Sequence, residues 1–163
     1  MSRREAIRVA GVAITHPNKV WWPDERLTKL DVVRFYERIS PAILPWLHDR
    51  PLIAERCPGG MLGSCFFQKH FARGLPAGVP TVPIPAESVG RTVRYVVGGS
   101  QETLLALVNL GAIAVHIMNC RTMSLATPDW LAFDLDPSSG KFADAARAGQ
   151  VLREILDDFG LRS

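Results

Sequence analysis

Residues 100–118, SQETLLALVNLGAIAVHIM, combine a helix pattern and a strand pattern in one short stretch. Ser100 is a favourable helix N-cap, and apolar residues then recur at helical spacing as far as Gly111, a typical C-terminal stop. From Ile113 to Met118, large branched residues alternate with other side chains, as they do in a strand. A helix that leads directly into a strand predicts a fold of packed helix and sheet layers.

Similar patterns alternate along the rest of the chain. Thr28, followed three residues later by Asp31, predicts a helix that runs to Pro41. β-rich runs predict strands at residues 8–15, 52–57, 65–69 and 92–97, with a loop at residues 21–24. The amphipathic pattern of residues 142–159 predicts a further helix. We therefore expect an α/β (α+β) fold in which helices flank a mixed sheet.

Composition limits the class of protein. A chain of 163 residues, 47% of them hydrophobic, suffices for one domain or part of a larger one. No apolar run approaches the length of a membrane span, and residues 1–5 lack the apolar segment of a signal peptide, so we expect a cytoplasmic protein without a membrane partner. Cys57, Cys65 and Cys120 are odd in number and lack CxxC spacing, which favours reduced thiols over a disulfide framework or a zinc site.

Charge is distributed unevenly along the chain. Residues 1–125 carry a net charge of +6 and residues 126–163 a net charge of −3, which together give the +3 of the whole chain. A basic region can bind phosphates and an acidic region can bind cations. The alternative is an ordinary mixed, solvated surface.

The run WLAFDLDP at residues 130–137 carries two carboxylates two residues apart. In a strand, Asp134 and Asp136 would share one face. The opposite face, directed to the core, would carry Leu131, Phe133 and Leu135. Because neighbouring carboxylates repel, a divalent cation would stabilise the pair, which indicates a nucleotidyl- or glycosyl-transfer site. The alternative is a strand-end turn of Asp, Pro and Ser residues.

The segment FFQKH at residues 66–70 places two aromatic rings beside basic side chains. Adjacent strand residues face opposite ways, so at most one of Phe66 and Phe67 can enter a single core. An exposed ring could stack on an unpaired base, with Lys69 at the neighbouring phosphate. The alternative is that the rings pack on the two faces of a covered sheet.

Two lysines and a histidine are further candidates. Lys29 opens the predicted helix, where a positive charge is unfavourable unless an anion binds nearby, and Lys19 follows the turn at residues 16–18, so we predict a phosphate site. The alternative is an exposed lysine that tolerates a small energetic penalty.

His116 is a further candidate. If it lies near the Asp-x-Asp segment, it would contact a triphosphate or a metal. The alternative is a core histidine whose hydrogen bonds are satisfied. The sequence has no G-x-S-x-G motif, so a hydrolase triad has little support.

Five segments, in chain order, resemble the polymerase domain of bacterial DNA ligase D, which belongs to the archaeo-eukaryotic primase superfamily. They are THPNKV at 15–20, LTKLD at 27–31, DRP at 49–51, CFFQKH at 65–70 and FDLDP at 133–137. Five ordered segments are far more specific than one. The resemblance implies that nucleotides, often ribonucleotides, are added at DNA double-strand breaks or gaps during non-homologous end joining, with Mn²⁺ or Mg²⁺ as cofactor.

The resemblance also implies roles for individual residues. Asp134 and Asp136 would be the catalytic metal ligands, while Lys19 and Lys29 would bind the 5′-phosphate of the downstream DNA strand. The remaining assignments are template and gap contacts for Phe66 and Phe67, and nucleotide binding for His116. The implied partners are DNA ends or gapped duplexes, nucleoside triphosphates, Ku and a ligase, and the implied location is the bacterial cytoplasm at the nucleoid.

In the family, the domain continues past the last predicted helix. It goes on to a Ser/Gly/Lys nucleotide-binding segment and a strand with a third catalytic aspartate, and two-metal transfer needs carboxylates that span both ions. We therefore expect residues 1–163 to be the N-terminal portion of such a domain, with the distal half absent. The alternative is a catalytically inactive module that binds DNA ends through the 5′-phosphate. Glycosyl transfer is more distant, because no sugar-nucleotide feature accompanies the carboxylates.

Overall fold

A computed structural model describes residues 6–86 and 90–162. They form two compact units, the first ending at Asp129 and the second beginning at Trp130, and each is described by itself. None of the helices in the described part of the chain is long and apolar enough to cross a membrane.

The first unit contains most of the regular structure. Its strands are β1 (Arg8–Val9), β2 (Val12–Ala13), β3 (Val20–Trp22), β4 (Leu27–Thr28), β5 (Pro51–Arg56), β6 (Phe66–Gln68), β7 (Thr81–Ala86), β8 (Arg91–Val97) and β9 (Ala112–Ile117). Its helices are α1 (Lys29–Leu47) and α2 (Gln101–Asn109), followed by a short 3₁₀ turn (Thr122–Ser124). The second unit contains α3 (Phe142–Asp158).

Strand β5 is the centre of a five-stranded sheet. It pairs with β8 through its first residues and with β6 through its last, and β9 lies along its other edge. Strand β7 pairs with β8. The predicted α+β class is confirmed, although every pairing between described strands is antiparallel where we expected a mixed sheet. The physical reason is that α2 carries the chain from β8 to β9, which lies on the opposite edge of β5. Strands β8 and β9 run parallel to each other but are therefore not neighbours.

Helix α2 supplies side chains to both hydrophobic clusters of the first unit. Leu105 and Val108 belong to a cluster with the N-terminal hairpin and α1. Leu104 and Leu107 belong to a second cluster with β5 and β8. Residues 103–108 of α2 are all buried, as is typical of a helix at the centre of a fold.

The predicted start of α1 is confirmed. The Thr28 hydroxyl accepts a hydrogen bond from the Asp31 backbone N–H at 3.3 Å, and the Asp31 carboxylate accepts one from the Thr28 backbone N–H at 2.8 Å. This reciprocal capping box satisfies backbone donors that the first turn of a helix leaves unpaired.

The predicted end of α1 at Pro41 is wrong, because the helix continues to Leu47. A proline in a helix removes one N–H donor and leaves the carbonyl four residues earlier without its usual partner. Here the Glu37 carbonyl accepts hydrogen bonds from the Ser40 hydroxyl at 2.8 Å and from the side-chain amide of Gln101 at 3.1 Å. These substitutes, one of them from α2, allow the helix to pass through the proline.

The predicted strand at residues 8–15 is two short strands instead of one. Ala10 and Gly11 have φ angles of 42° and 80°, which turn the chain into the β1–β2 hairpin. Two successive residues with positive φ are typical of the tight turns that connect antiparallel strands. The predicted loop at residues 21–24 is also partly strand, because β3 pairs with β4.

The predicted strand at residues 130–137 is wrong. The segment has no regular secondary structure, and its expected core residues are exposed, with Leu131 at 61% and Phe133 at 52%. A strand needs a partner for its backbone hydrogen bonds, and no described strand pairs with this segment. A turn follows the segment, where the Gly140 N–H donates to the Pro137 carbonyl at 2.9 Å.

The prediction of reduced thiols is wrong for two of the three cysteines. Cys57 and Cys65 form a disulfide, while Cys120 is free and buried. Strand register explains the pairing: Arg56 lies opposite Phe66, so the next position on each strand is a cysteine, and their Cα atoms are 4.3 Å apart.

We expect Thr28→Ala to lower the free energy of unfolding by about 1 kcal/mol, because it removes the N-cap acceptor of α1. Urea unfolding followed by circular dichroism measures the change. Thr127→Ala, at an exposed position, is the matched control, and we expect it to change stability by less than about 0.5 kcal/mol. Equal stability of the two variants would contradict a structural role for the cap.

Candidate functional site

Lys19 and Lys29 line one cavity of about 350 Å³ in the first unit. We call it the two-lysine cavity. The ammonium group of Lys29 donates to the carbonyl and hydroxyl oxygens of Thr15 at 2.7 and 2.9 Å. The ammonium group of Lys19 donates to the carbonyl oxygen of Pro58. The two lysines for which the sequence predicted a phosphate site therefore line the same cavity.

Burial and like charge act together on Lys29. The side chain is buried, and the loss of water, followed by the repulsion of Lys19, lowers the pKa of Lys29 to about 8. Both causes disfavour the charged ammonium group, and an anion in the cavity would offset both. The alternative of an exposed lysine at the start of the helix is wrong for Lys29, which has only 5% of its surface accessible.

Thr15 is held in turn by Asn109, the last residue of α2. The Asn109 side-chain oxygen accepts hydrogen bonds from the Thr15 backbone N–H at 3.0 Å and from its hydroxyl at 3.3 Å. The Asn109 amide group donates to the Ala13 carbonyl at 3.1 Å. Sequence reasoning missed Asn109, because a contact across 94 residues has no local pattern.

The aromatic pair of β6 is exposed, with Phe66 at 46% and Phe67 at 63% of their surface accessible. The Arg56 guanidinium lies 5.5 Å from the centre of the Phe66 ring, a cation–π contact. The Phe67 ring meets the His116 ring edge to face, with centres 5.3 Å apart. Neither phenylalanine is in the core of the first unit, so the covered-sheet alternative does not hold for the described residues.

His116 lies on the same sheet face as Phe67. It is exposed on β9, and its Nε2 atom is 3.9 Å from a carboxylate oxygen of Glu55 on β5. Register brings these residues together, because Glu55 pairs with Phe67, and Ile53, two residues before Glu55, pairs with His116. The alternative of a satisfied core histidine is wrong, since the imidazole is half exposed.

A larger cavity of about 680 Å³ adjoins the aromatic pair. Its lining includes Phe66, Phe67 and three basic side chains, Arg56, Lys69 and Arg91. Exposed rings beside cationic groups are the combination that single-stranded nucleic acids contact through bases and phosphates.

Asp134 and Asp136 line a cavity of about 340 Å³ within the second unit. Asp144 and Ser139 also line it, and the Ser139 hydroxyl donates to the Asp144 carboxylate. In the described part of the chain, no group of three or more His, Cys, Asp or Glu side chains is placed to hold one metal ion. His116 belongs to the first unit, so its prediction as a neighbour of these carboxylates stays a prediction.

The Asp49-Arg50-Pro51 segment is structural in the first unit. The Arg50 guanidinium donates two hydrogen bonds of 2.7 Å to the Asp129 carboxylate, which also accepts one from Arg121 at 2.9 Å. The hydrogen bond from Arg50 lowers the pKa of Asp129 most, and the hydrogen bond from Arg121 lowers it further. Two parallel bonds of this kind fix geometry as well as charge, so the segment anchors the end of the first unit to β5.

Residues 28–163 match the family described as LigD, primase-polymerase domain. This chain belongs to that family. It is 34% identical over 155 residues to the multifunctional non-homologous end joining protein LigD of Pseudomonas aeruginosa, a match that covers 94% of the chain and 18% of that protein. It is 29% identical over 150 residues to the bifunctional non-homologous end joining protein LigD of Bacillus subtilis, covering 91% of the chain and 23% of that protein.

A solved structure supports the fold of this LigD-family chain. The polymerase domain from Mycobacterium tuberculosis Ligase D, in complex with DNA, aligns with a TM-score of 0.74 and 23% identity, covering 93% of this chain and 55% of that one. The chain spans about a fifth of the length of the curated relatives it matches. The predicted family resemblance is confirmed.

We expect the pKa of Lys29, measured by heteronuclear NMR of the lysine side chains, to lie near 8 and to rise in Lys19→Met, because the variant removes the neighbouring positive charge. Lys69→Met, which removes another lysine of the first unit that does not contribute to the lowered pKa, is the matched control and should leave the value unchanged. A pKa near 10.5 for Lys29 in the unaltered protein would contradict its burial beside Lys19.

Proposed function

We propose that this chain is the N-terminal portion of a LigD-type end-joining nucleotidyltransferase, which adds nucleotides at DNA double-strand breaks or gaps. The observation that carries the proposal is the two-lysine cavity, in a chain of the LigD primase-polymerase family. The relatives are named for non-homologous end joining, and the structural neighbour is a polymerase domain bound to DNA. We extend DNA binding to this chain on that basis.

The 5′-phosphate of a downstream DNA strand suits the two-lysine cavity. A terminal phosphate carries more negative charge than a phosphodiester, so it stabilises two neighbouring ammonium groups most effectively. Two of the three N–H groups of protonated Lys29 are directed to Thr15, which leaves the third for an anion. Lys29 is also the first residue of α1, where the helix dipole favours negative charge.

The aromatic pair would contact the template strand at the gap. Exposed Phe66 and Phe67 offer faces for unpaired bases, and base stacking on such a ring contributes about 1–3 kcal/mol. Lys69 and Arg91, beside the rings, would bind the neighbouring phosphates. Exposed His116, on the face of Phe67, would contact a nucleoside triphosphate.

Asp134 and Asp136 would hold the Mn²⁺ or Mg²⁺ cofactor. Carboxylate oxygens are the ligands that these hard cations prefer, so the residues that line this cavity fit the group. When bound, the ion would neutralise charge on the transferred phosphoryl group. Two carboxylates leave coordination positions to water and to further ligands, and in our proposal the distal part of the family domain supplies the third carboxylate, on this protein or on a separate chain.

We extend the proposal to the remaining partners. A LigD-type enzyme would meet nucleoside triphosphates, Ku and a ligase at DNA ends, in the bacterial cytoplasm at the nucleoid. The test of the enzyme itself is nucleotide addition to a gapped duplex with Mn²⁺, comparing the unaltered chain with Asp134→Ala/Asp136→Ala. Addition that the double variant loses supports the proposal.

A second candidate function is a DNA-end-binding module without catalysis. The two-lysine cavity lies wholly within the first unit, while the described residues contain no three-ligand metal group. Binding to a 5′-phosphorylated gap without any nucleotide addition would favour this module.

We expect fluorescence anisotropy to find roughly fivefold tighter binding to a gapped duplex with a 5′-phosphate than with a 5′-hydroxyl, equivalent to about 1 kcal/mol. Lys19→Ala/Lys29→Ala should abolish the preference, whereas Lys141→Ala should keep it. Because Lys29 loses its charge above its pKa of about 8, most of the fivefold preference should disappear between about pH 7 and about pH 9. Binding that ignores both the phosphate and the two lysines would contradict the assignment.

We expect titration calorimetry to find weak divalent binding, with Mn²⁺ held better than Mg²⁺, because Mg²⁺ demands near-octahedral geometry and Mn²⁺ is less strict. Asp134→Ala/Asp136→Ala should abolish the binding. Asp157→Ala/Asp158→Ala removes two carboxylates near the end of α3 and is the control for charge alone. Equal Mn²⁺ binding by the two double variants would contradict a metal role for Asp134 and Asp136.

A further inference from the structure

We infer that the Cys57–Cys65 disulfide is a thiol–disulfide exchange site, which reacts with low-molecular-weight thiols and disulfides and controls the wall of the two-lysine cavity. The expected effect of reduction on DNA affinity rests on the proposed function. The expected effect on the positions of the two lysines does not depend on it.

One end of the disulfide is fixed beside the cavity. The Cys57 N–H donates to the Gly111 carbonyl at 2.8 Å, just after α2. The next residue, Pro58, lines the cavity, and its carbonyl oxygen accepts a hydrogen bond from the Lys19 ammonium group. Gly111 lies so close to Pro58 that a Cβ atom on it would be 3.0 Å from the proline Cα. The backbone that holds Lys19 therefore begins one residue from the disulfide.

The loop between the two cysteines also rests on β3. The Met61 N–H donates to the Trp21 carbonyl at 2.9 Å. Gly60, with a φ of 92°, approaches the backbone so closely that a Cβ atom would lie 3.3 Å from the Trp21 Cα. At its far end the loop reaches Cys65, the residue before Phe66. One short loop therefore connects the lysines with the aromatic pair, and the disulfide closes that loop.

The two sulfur atoms differ in access. Cys57 is fully buried and Cys65 is exposed, so a small thiolate would attack the Cys65 sulfur. That step forms a mixed disulfide on Cys65 and releases the Cys57 thiolate, which takes up a proton. A second thiolate then attacks the sulfur of the reagent and frees Cys65. In total, two thiols become one small disulfide and the protein gains two electrons and two protons.

Breaking the cross-link would loosen the wall of the cavity. A closed loop has fewer conformations than an open one, so the disulfide favours the arrangement that presents the Pro58 carbonyl to Lys19. Reduction would let Lys19 move away from Lys29. A phosphate would then have to order the lysine when it binds, and affinity would fall by roughly fivefold.

The test uses the full chain equilibrated with reduced or oxidised glutathione. Mass spectrometry reports the thiol count, NMR reports the pKa of Lys29, and anisotropy reports binding to the 5′-phosphorylated gapped duplex. We expect the oxidised chain to bind roughly fivefold more tightly and the reduced chain to have a higher Lys29 pKa. Cys65→Ser, at an exposed position, should behave as the reduced chain in both buffers, whereas Cys120→Ser should respond like the unaltered chain.

Two free thiols at Cys57 and Cys65 in oxidised glutathione would overturn the inference. So would a Lys29 pKa and a DNA affinity that are identical in both redox states. If neither state prefers the 5′-phosphate but the Lys29 pKa still follows the redox state, the proposed function fails and the control of the cavity stands.

Discussion

The ammonium group of Lys29, buried at the first turn of α1, joins three parts of the first unit. It donates to Thr15 in the segment after the N-terminal hairpin, and Thr15 is held by Asn109 at the end of α2. Helix α2 is thereby connected through Thr15 to the ammonium group of Lys29, while its leucines pack in both hydrophobic clusters. Because burial and the positive charge of Lys19 lower the pKa of Lys29, the same contacts that join the elements hold a group that a bound anion would stabilise.

In our proposal, this need for a counter-charge is the physical basis of DNA end recognition by the LigD-family chain. A terminal phosphate meets it better than a phosphodiester does, and the neighbouring sheet carries exposed rings and cationic side chains for unpaired bases. Recognition of this kind uses residues of the first unit alone. The carboxylates of the proposed metal site lie in the second unit, so the proposal predicts that mutations can separate DNA binding from catalysis.

Local signals in the sequence predicted local structure well. The caps at Thr28 and Ser100, and the strand pattern before Met118, specify their elements because their hydrogen bonds or side-chain periodicity involve near neighbours. Features that depend on distant partners were missed. Helix α1 passes Pro41 because an amide from α2 replaces a lost donor, and the disulfide follows from strand register.

The same distinction applies to the candidate site. The alternation in residues 130–137 described which side chains share a face of a strand, but no described strand supplies the backbone partner that a strand requires.

The most direct test of the account is the pKa of Lys29 in complex with a gapped duplex, measured by NMR. We expect the value to rise above about 8 by roughly 0.7 pH unit with a 5′-phosphate, the equivalent of a fivefold preference, and to stay unchanged with a 5′-hydroxyl. The same pKa with both duplexes would contradict phosphate recognition by the two-lysine cavity.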